Sequence, residues 1–302
     1  VKLSYGEIYS MHISNMWFTV DIEEDNIECS EVIRKITNST PKAFKFNREF
    51  LGFEPYGIKD VPTGFATGLY ANLEEVVKAH PEKEFSWLLE KEYYIVTDDI
   101  LDEIIAKFEA VPDDDYLFCD TETTGLNITF KSRIGQADQC VGIILSYEDG
   151  VSYYFPMQMR HVPNLCGGDH WYFIEKIRKI IEGKKLVGHN SPFDWKVFHI
   201  YGLNANFVED TMTMIALTLG NEKIDYPLSL KDNTKLLLHR DALELDDLVK
   251  GNEWGESDIN FADLPAELVK FYACADTDDT RGVFKYIMDN DILQRYNATR
   301  VY

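Results

Sequence analysis

The chain has 302 residues, 45% of them apolar and 13% aromatic, with 52 acidic against 30 basic side chains and a formal net charge of -22. That length suits one large domain or two smaller ones with a buried core, and the longest apolar runs, such as Val141 to Leu145, fall far short of the ~20 residues that span a bilayer. No basic-then-apolar leader opens the sequence, and the charge excludes global attraction to nucleic-acid phosphates as a way of binding. The five cysteines, Cys29, Cys119, Cys140, Cys166 and Cys274, are scattered without a Cys-x-x-Cys pair, so neither a disulfide frame nor a zinc site is indicated and a reducing, cytoplasmic setting is expected rather than secretion.

From Val1 to about Tyr94 the sequence is mixed, and we expect a smaller α+β domain of unknown role over 1–94. Asn15 to Ile22 reads as a strand, and Ser30 is placed to cap a short helix through Thr37. Glycines and prolines from Gly52 to Gly68 break up the next stretch, before helical patterns at Leu73 to Ala79 and Phe85 to Glu92. Arg34, Lys35, Lys42, Lys45 and Arg48 interleave with Phe44, Phe46 and Phe50. A nucleic-acid contact has that texture, but an amphipathic strand with a solvated basic edge is the favoured reading.

The pattern becomes regular over 95–302, which we expect to form a second domain. Asp98 or Asp99 is placed to cap a helix through Phe108, and an acidic loop at Asp113 to Asp115 leads into a strand beginning at Tyr116. Val141 to Tyr147 and Val151 to Phe155 flank Glu148-Asp149-Gly150, a hairpin signal because Asp-Gly tolerates positive φ. Next come a helix over His170 to Glu182, a short strand at Lys185 to Gly188 and a helix from Ser191 to about Tyr201. Phe207 and Val208 then form a brief strand, and helices run from Asp210 or Thr211 to Leu219 and over Leu228 to Leu237. Arg240 to Asp263, rich in acids and poor in periodicity, reads as a solvated loop, and Pro265 opens a long helix to about Asp289. The sum is a mixed β-sheet flanked by helices, with no internal repeat.

Three acidic stations recur at strand ends or on helices. Asp120 and Glu122 stand two apart where the Tyr116 strand emerges, so both project from one face. Asp194 lies within a helical turn of the end of the Lys185 strand. Tyr272 and Asp276, four apart on a helix, share a face. Four carboxylates and a phenol, without a cysteine or a histidine cluster, make a hard oxygen site suited to Mg²⁺ or Mn²⁺, of the type that supports phosphodiester hydrolysis with two cations. Taken singly, each residue has a structural explanation: Asp194 completes a capping box with Ser191, Asp276 reads as a solvated helix acid, Tyr272 as a packing residue, and Asp120 with Glu122 as the start of a turn. His189 reads as a support for the strand end, His161 has no assignable role, and Arg281 reads as a partner in a surface ion pair.

Asp120-Thr121-Glu122, His189-Asn190-Ser191-Pro192-Phe193-Asp194 and Tyr272-Ala273-Cys274-Ala275-Asp276 together resemble the three motifs of the Asp-Glu-Asp-Asp 3′→5′ exonucleases, in the subclass with tyrosine in the third motif. The proofreading domain of family A DNA polymerases is the nearest resemblance, over roughly Ile95 to Asp289. It implies a ribonuclease H-like fold and two divalent cations, Mg²⁺ or Mn²⁺. Asp120, Glu122 and Asp276 are implied to hold the tighter ion, Asp120 to bridge to the second, and Asp194 to act mainly through metal-bound water. Tyr272, with an ordinary pKa of ~10, is implied to orient the attacking water rather than act as a base. Thr123, Leu126, Asn190 and Phe193 match positions that contact or wedge the terminal nucleotide, with Gly125 letting the chain bend behind Leu126.

The expected activity is release of nucleoside 5′-monophosphates from single-stranded DNA 3′ ends. The implied partner is a polymerase, phage-type ones included, either in the same protein or as a separate subunit, because only one helix follows the third motif. The setting is then wherever the replication machinery works. Two alternatives stand beside this: a free-standing exoribonuclease of the ribonuclease D type, and an inactive module that uses its acidic surface to bind a basic partner.

Overall fold

The computed structural model describes residues 69–126, 128, 139–159, 162–222, 225–250 and 261–290, together with the backbone of a few strands before them. Among these, Met16–Asp21 forms where the sequence predicts a strand over Asn15 to Ile22, and it lies between Ile8–Ile13 and Glu54–Pro55 in an antiparallel sheet. The helix expected from Ser30, the basic-aromatic patch Arg34 to Phe50 and His161 lie outside the described residues.

The principal sheet has six strands: β1 (Glu92–Ile95), β2 (Tyr116–Thr123), β3 (Cys140–Glu148), β4 (Val151–Pro156), β5 (Lys185–Gly188) and β6 (Phe207–Asp210). Their order is β6-β5-β2-β3-β4-β1. β5 runs parallel to β6 and β2, β3 is antiparallel to β2 and β4, and β1 is parallel to β4. The expected hairpin is β3–β4, turning at Gly150 with φ +71. This mixed sheet, flanked by helices, is the α/β arrangement expected from the sequence. The boundary expected between residues 94 and 95 falls within β1.

Helices cover both faces: α1 (Leu73–Ala79), α2 (Leu101–Glu109), α3 (His170–Ile181), α4 (Ser191–Ile200), α5 (Thr211–Leu217), α6 (Leu230–Leu238) and α7 (Ala266–Asp289). On one face Leu117, Cys119, Ile143, Leu145 and Phe155 pack with Ile104 and Phe108 of α2, Ile174 and Ile177 of α3 and Val197 and Phe198 of α4. On the other, Val141, Ile144 and Tyr154 meet Leu73 and Val76 of α1 and Leu268, Val269 and Ala273 of α7. Further along α7, Val283, Phe284 and Ile287 cover Phe118 and Val187 together with Met214 and Ile215 of α5. Strand alternation and helical periodicity therefore produce three layers with α7 lying across β2. Among the described residues, no helix is long and apolar enough to cross a membrane.

Four local expectations differ. The segment 85–92 forms a 3₁₀ helix (Ser86–Glu90) and then enters β1. Neither Asp98 nor Asp99 caps α2, whose N-cap is Ile100; the Asp98 carboxylate accepts from the backbone N–H of Cys166 at 2.6 Å, where Cys166, Gly167 and Gly168 all have positive φ. α5 ends at Leu217, where the Thr218 hydroxyl donates to the Met214 carbonyl at 2.6 Å and competes with continuation of the helix. The 240–250 part of the expected solvated loop is packed: Leu243 and Leu248 are fully buried, and Arg240 lies 3.8 Å from the Trp87 ring centroid. Acid content hides those few apolar anchors.

Candidate active site

β2 carries Phe118, Asp120 and Glu122 on one face, opposite Ser146, Ile144 and Gly142 of β3, with an irregular register between Glu122 and Thr123. Such a bulge turns the strand end away from regular pairing and re-aims its side chains. α7 runs over this face. The Phe284 ring lies 5.0 Å from Tyr116 and 5.5 Å from Phe118. Asp276, eight residues earlier, is displaced ~12 Å along the helix. Phe118 to Glu122 spans ~13 Å of strand. The two spacings agree, and Asp276 meets Asp120 and Glu122: one carboxylate oxygen from each lies within 4.8 Å of the others.

The three acids are crowded and partly shielded from water. Burial, followed by the charges of Asp194, Glu122 and Asp276, raises Asp120 well above the ordinary carboxylate range. Burial and Asp276 do the same to Glu122. Burial also raises Asp276, while Lys231 pulls it back. Lys231, in the first turn of α6, donates to Asp276 Oδ1 and to the Leu243 carbonyl at 2.9 Å, and its ammonium lies 4.7 Å from the Tyr272 ring centroid. Three half-buried carboxylates with one lysine between them carry excess negative charge, and the all-oxygen donor set fits a hard divalent cation. The cluster can hold a metal ion.

Asp194 stands outside this trio. It is 2% exposed, and its Oδ1 accepts from the Thr121 hydroxyl at 2.6 Å. Burial raises it to about 7 although the Thr121 hydrogen bond works the other way. The capping-box explanation fails, because Asn190 is the N-cap of α4 and Ser191 is its first helical residue. The Ser191 N–H instead donates to Asp210 Oδ2 at 2.5 Å, and Asp210 Oδ1 accepts from Thr213 at 2.7 Å as the cap of α5. His189 is held by Thr211 at 2.9 Å and burial lowers it to about 4, so it is neutral and supports the strand end as expected.

The residues expected to meet substrate lie on β2, the turn after it and the start of α4. Thr123 donates to the Gly125 carbonyl at 2.8 Å and pins the turn after β2. Leu126, beyond that turn, is 83% exposed. Asn190 is exposed in a left-handed conformation (φ 60, ψ 41), and Phe193 packs partly against the core. Tyr272 rests against Phe261 at 5.6 Å, and burial with Asp276 and Glu122 raises its phenol well above the ordinary value.

Sequence reasoning misses Thr121, Asp210 and Lys231. Alternation assigns Thr121 to the face opposite Asp120 and Glu122, and only the approach of α4 from that side reveals its partner. Asp210 reads in the sequence simply as a helix start. Lys231 has no signal, since a lysine near the beginning of an amphipathic helix reads as a solvated residue.

No family model matches the chain. A curated relative, DNA polymerase I of Aquifex aeolicus (strain VF5), is 27% identical over 207 residues. The match covers 68% of this chain and 29% of that protein, so the chain spans less than a third of the relative's length. Joined to the three motifs and their acids, that match decides the likeness. The chain resembles an Asp-Glu-Asp-Asp 3′→5′ exonuclease domain. Among solved structures, Trypanosoma brucei RNase D is matched with a TM-score of 0.47 and 14% identity over 70% of this chain and 71% of that one. Escherichia coli RNase D, described as an exoribonuclease involved in structured RNA processing, gives 0.45 and 14% over 68% and 46%. The POL domain of Pol1 from M. smegmatis, in complex with DNA primer-template and dNTP, gives 0.42 and 10% over 68% and 28%.

Proposed function

We propose that this protein is a metal-dependent 3′→5′ exonuclease that shortens single-stranded DNA ends to nucleoside 5′-monophosphates, as the proofreading part of a family A DNA polymerase. The observation that carries this reading is the meeting of Asp120, Glu122 and Asp276 within 4.8 Å at the end of a buried strand. The DNA polymerase I relative supports DNA as the substrate. Two bound Mg²⁺ or Mn²⁺ ions would supply charge stabilisation at the attacking and leaving oxygens of an in-line displacement.

The chain's own residues do the rest. Tyr272 keeps its proton, so its hydroxyl orients a water by hydrogen bonding and takes no proton itself. Thr121 fixes the Asp194 carboxylate at the edge of the trio, and Asp210 fixes the start of the helix that carries it. Leu126 presses on the terminal base, with Thr123, Asn190 and Phe193 lining the place of the last nucleotide. A net charge of -22 repels free nucleic acid. Attachment to a polymerase supplies the strand end at high effective concentration instead.

The test is a labelled single strand incubated with Mg²⁺ or Mn²⁺ and either wild type or the Asp120→Ala, Glu122→Ala double variant, on matched DNA and RNA. We expect mononucleotide release from DNA by wild type alone. Activity that persists in the variant sinks the site, preference for RNA sinks the proofreading role, and no release by wild type leaves an acidic interaction module.

A further inference from the structure

Lys231 is in an unfavourable place for helix stability. Ser229 caps α6, accepting from the Asp232 N–H at 3.2 Å, so Lys231 is the second residue of the first turn. There the helix dipole and the free N–H groups favour an acid over a cation. The lysine side chain is also largely withdrawn from water, at 19% exposure. Its ammonium is spent on three partners: Asp276 Oδ1, the Leu243 carbonyl and the face of Tyr272. Two of these partners belong to the third motif, and the remaining one ties the ammonium to the 240–250 segment.

We propose that Lys231 is a positioning residue that competes with a divalent cation for Asp276 and sets the metal affinity of the site. The carboxylates of Asp120, Glu122 and Asp276 draw a cation in, and the positive charge of Lys231, held on Asp276, opposes it. When such an ion takes the Asp276 oxygen, the Leu243 carbonyl and the Tyr272 ring still hold the ammonium, so the phenol keeps its place. Without Lys231 the cluster attracts a cation more strongly, and both Asp276 and Tyr272 lose a partner that aligns them.

This rests on reading the trio as a cation site in the proposed exonuclease. Its test is Mn²⁺ binding to the full chain, measured by electron paramagnetic resonance, for wild type, Lys231→Met and Lys231→Arg, beside single-strand cleavage. A unit charge a few ångströms from the ion is worth at least ~10-fold in affinity at an effective dielectric of ~20. We expect Lys231→Met to bind Mn²⁺ at least that much more tightly while kcat falls and KM holds. Lys231→Arg should return the affinity towards wild type. Equal or weaker Mn²⁺ binding by Lys231→Met overturns the proposal. Should that variant not fold, Lys231→Gln, which keeps a donor for the Leu243 carbonyl, carries the same expectation. A wild type that binds Mn²⁺ and cleaves nothing overturns the exonuclease reading alone, because the binding comparison still reports on Lys231.

Discussion

Helix α7 carries Asp276 and, less than one turn on, the pair Asp278 and Asp279, and these acids behave in opposite ways. Asp278 receives Lys91 at 2.9 Å, the Gly150 N–H at 3.1 Å, and Arg240 and the Tyr93 hydroxyl at 3.2 Å each. Asp279 receives Arg240 twice, at 2.5 and 3.0 Å; burial still raises it to about 6 against the pull of Arg240. Asp276 is paired with Lys231, and two further carboxylates crowd it across the gap. All three are aspartates on one helix, Asp278 and Asp279 buried and Asp276 partly exposed. The supply of counter-charge separates an acid that ties α7 to its neighbours from one that wants an ion.

The contrast can be broken most sharply by neutralising one member on each side. In the proposed exonuclease, Asp276→Asn should lower kcat by ~10³-fold or more, about 4 kcal/mol, with thermal unfolding in chelator no lower than wild type. Single-strand cleavage and calorimetry check the pair. Arg240→Met should do the reverse: it strands Asp279 and takes one of several partners from Asp278, costs ~3–5 kcal/mol of stability, and leaves turnover per folded molecule intact. If Arg240→Met abolished cleavage in fully folded protein, the two groups would not be separate.

A smaller effect concerns pH. Asp194 has a folded-state value of about 7 against an ordinary 3.8, so between those values the folded protein keeps a proton that the unfolded chain has released. Stability in chelator therefore falls as pH rises from about 4 to 7 and then levels, by on the order of 4 kcal/mol at most for this group. Denaturant unfolding at pH 5 and pH 8 should show the loss in wild type and a flatter profile in Asp194→Asn. The smallest expected change is Leu126→Ala, which should raise KM for a strand end several-fold, ~1 kcal/mol, while Mn²⁺ binding stays as in wild type. A drop in Mn²⁺ affinity would falsify the division between the turn and the acids.

Much of this is legible in the sequence because it depends on short-range periodicity. β2, the β3–β4 hairpin, α4 and α7 follow from alternation, Asp-Gly turn chemistry and helical spacing, and those elements alone deliver Asp120, Glu122, Asp194 and Asp276. What escapes depends on contacts distant in sequence. Thr121 finds Asp194 73 positions away, and Lys231 finds Asp276 across 45. Asp98 is diverted from its own helix to a loop 68 residues on. The acid-rich 240–250 segment reads as solvated because only a few of its side chains, Leu243 and Leu248 among them, do the packing. Local pattern assigns a residue's face, and only the assembled layers say what waits on that face.

Across from Glu122 in the sheet register stands Gly142. The phenol of fully buried Tyr154, which donates to the Val141 carbonyl at 3.1 Å, occupies the volume a side chain at position 142 would fill. Even a methyl group there would collide with that ring. Tyr154 cannot retreat into a packed interior, so the strain would pass along the hairpin to the strand bearing the acids. A position with no chemistry of its own is thereby closed to drift. Gly142→Ala should imitate a lesion of the acids themselves, and in a survey of inactive variants it would be mistaken for one.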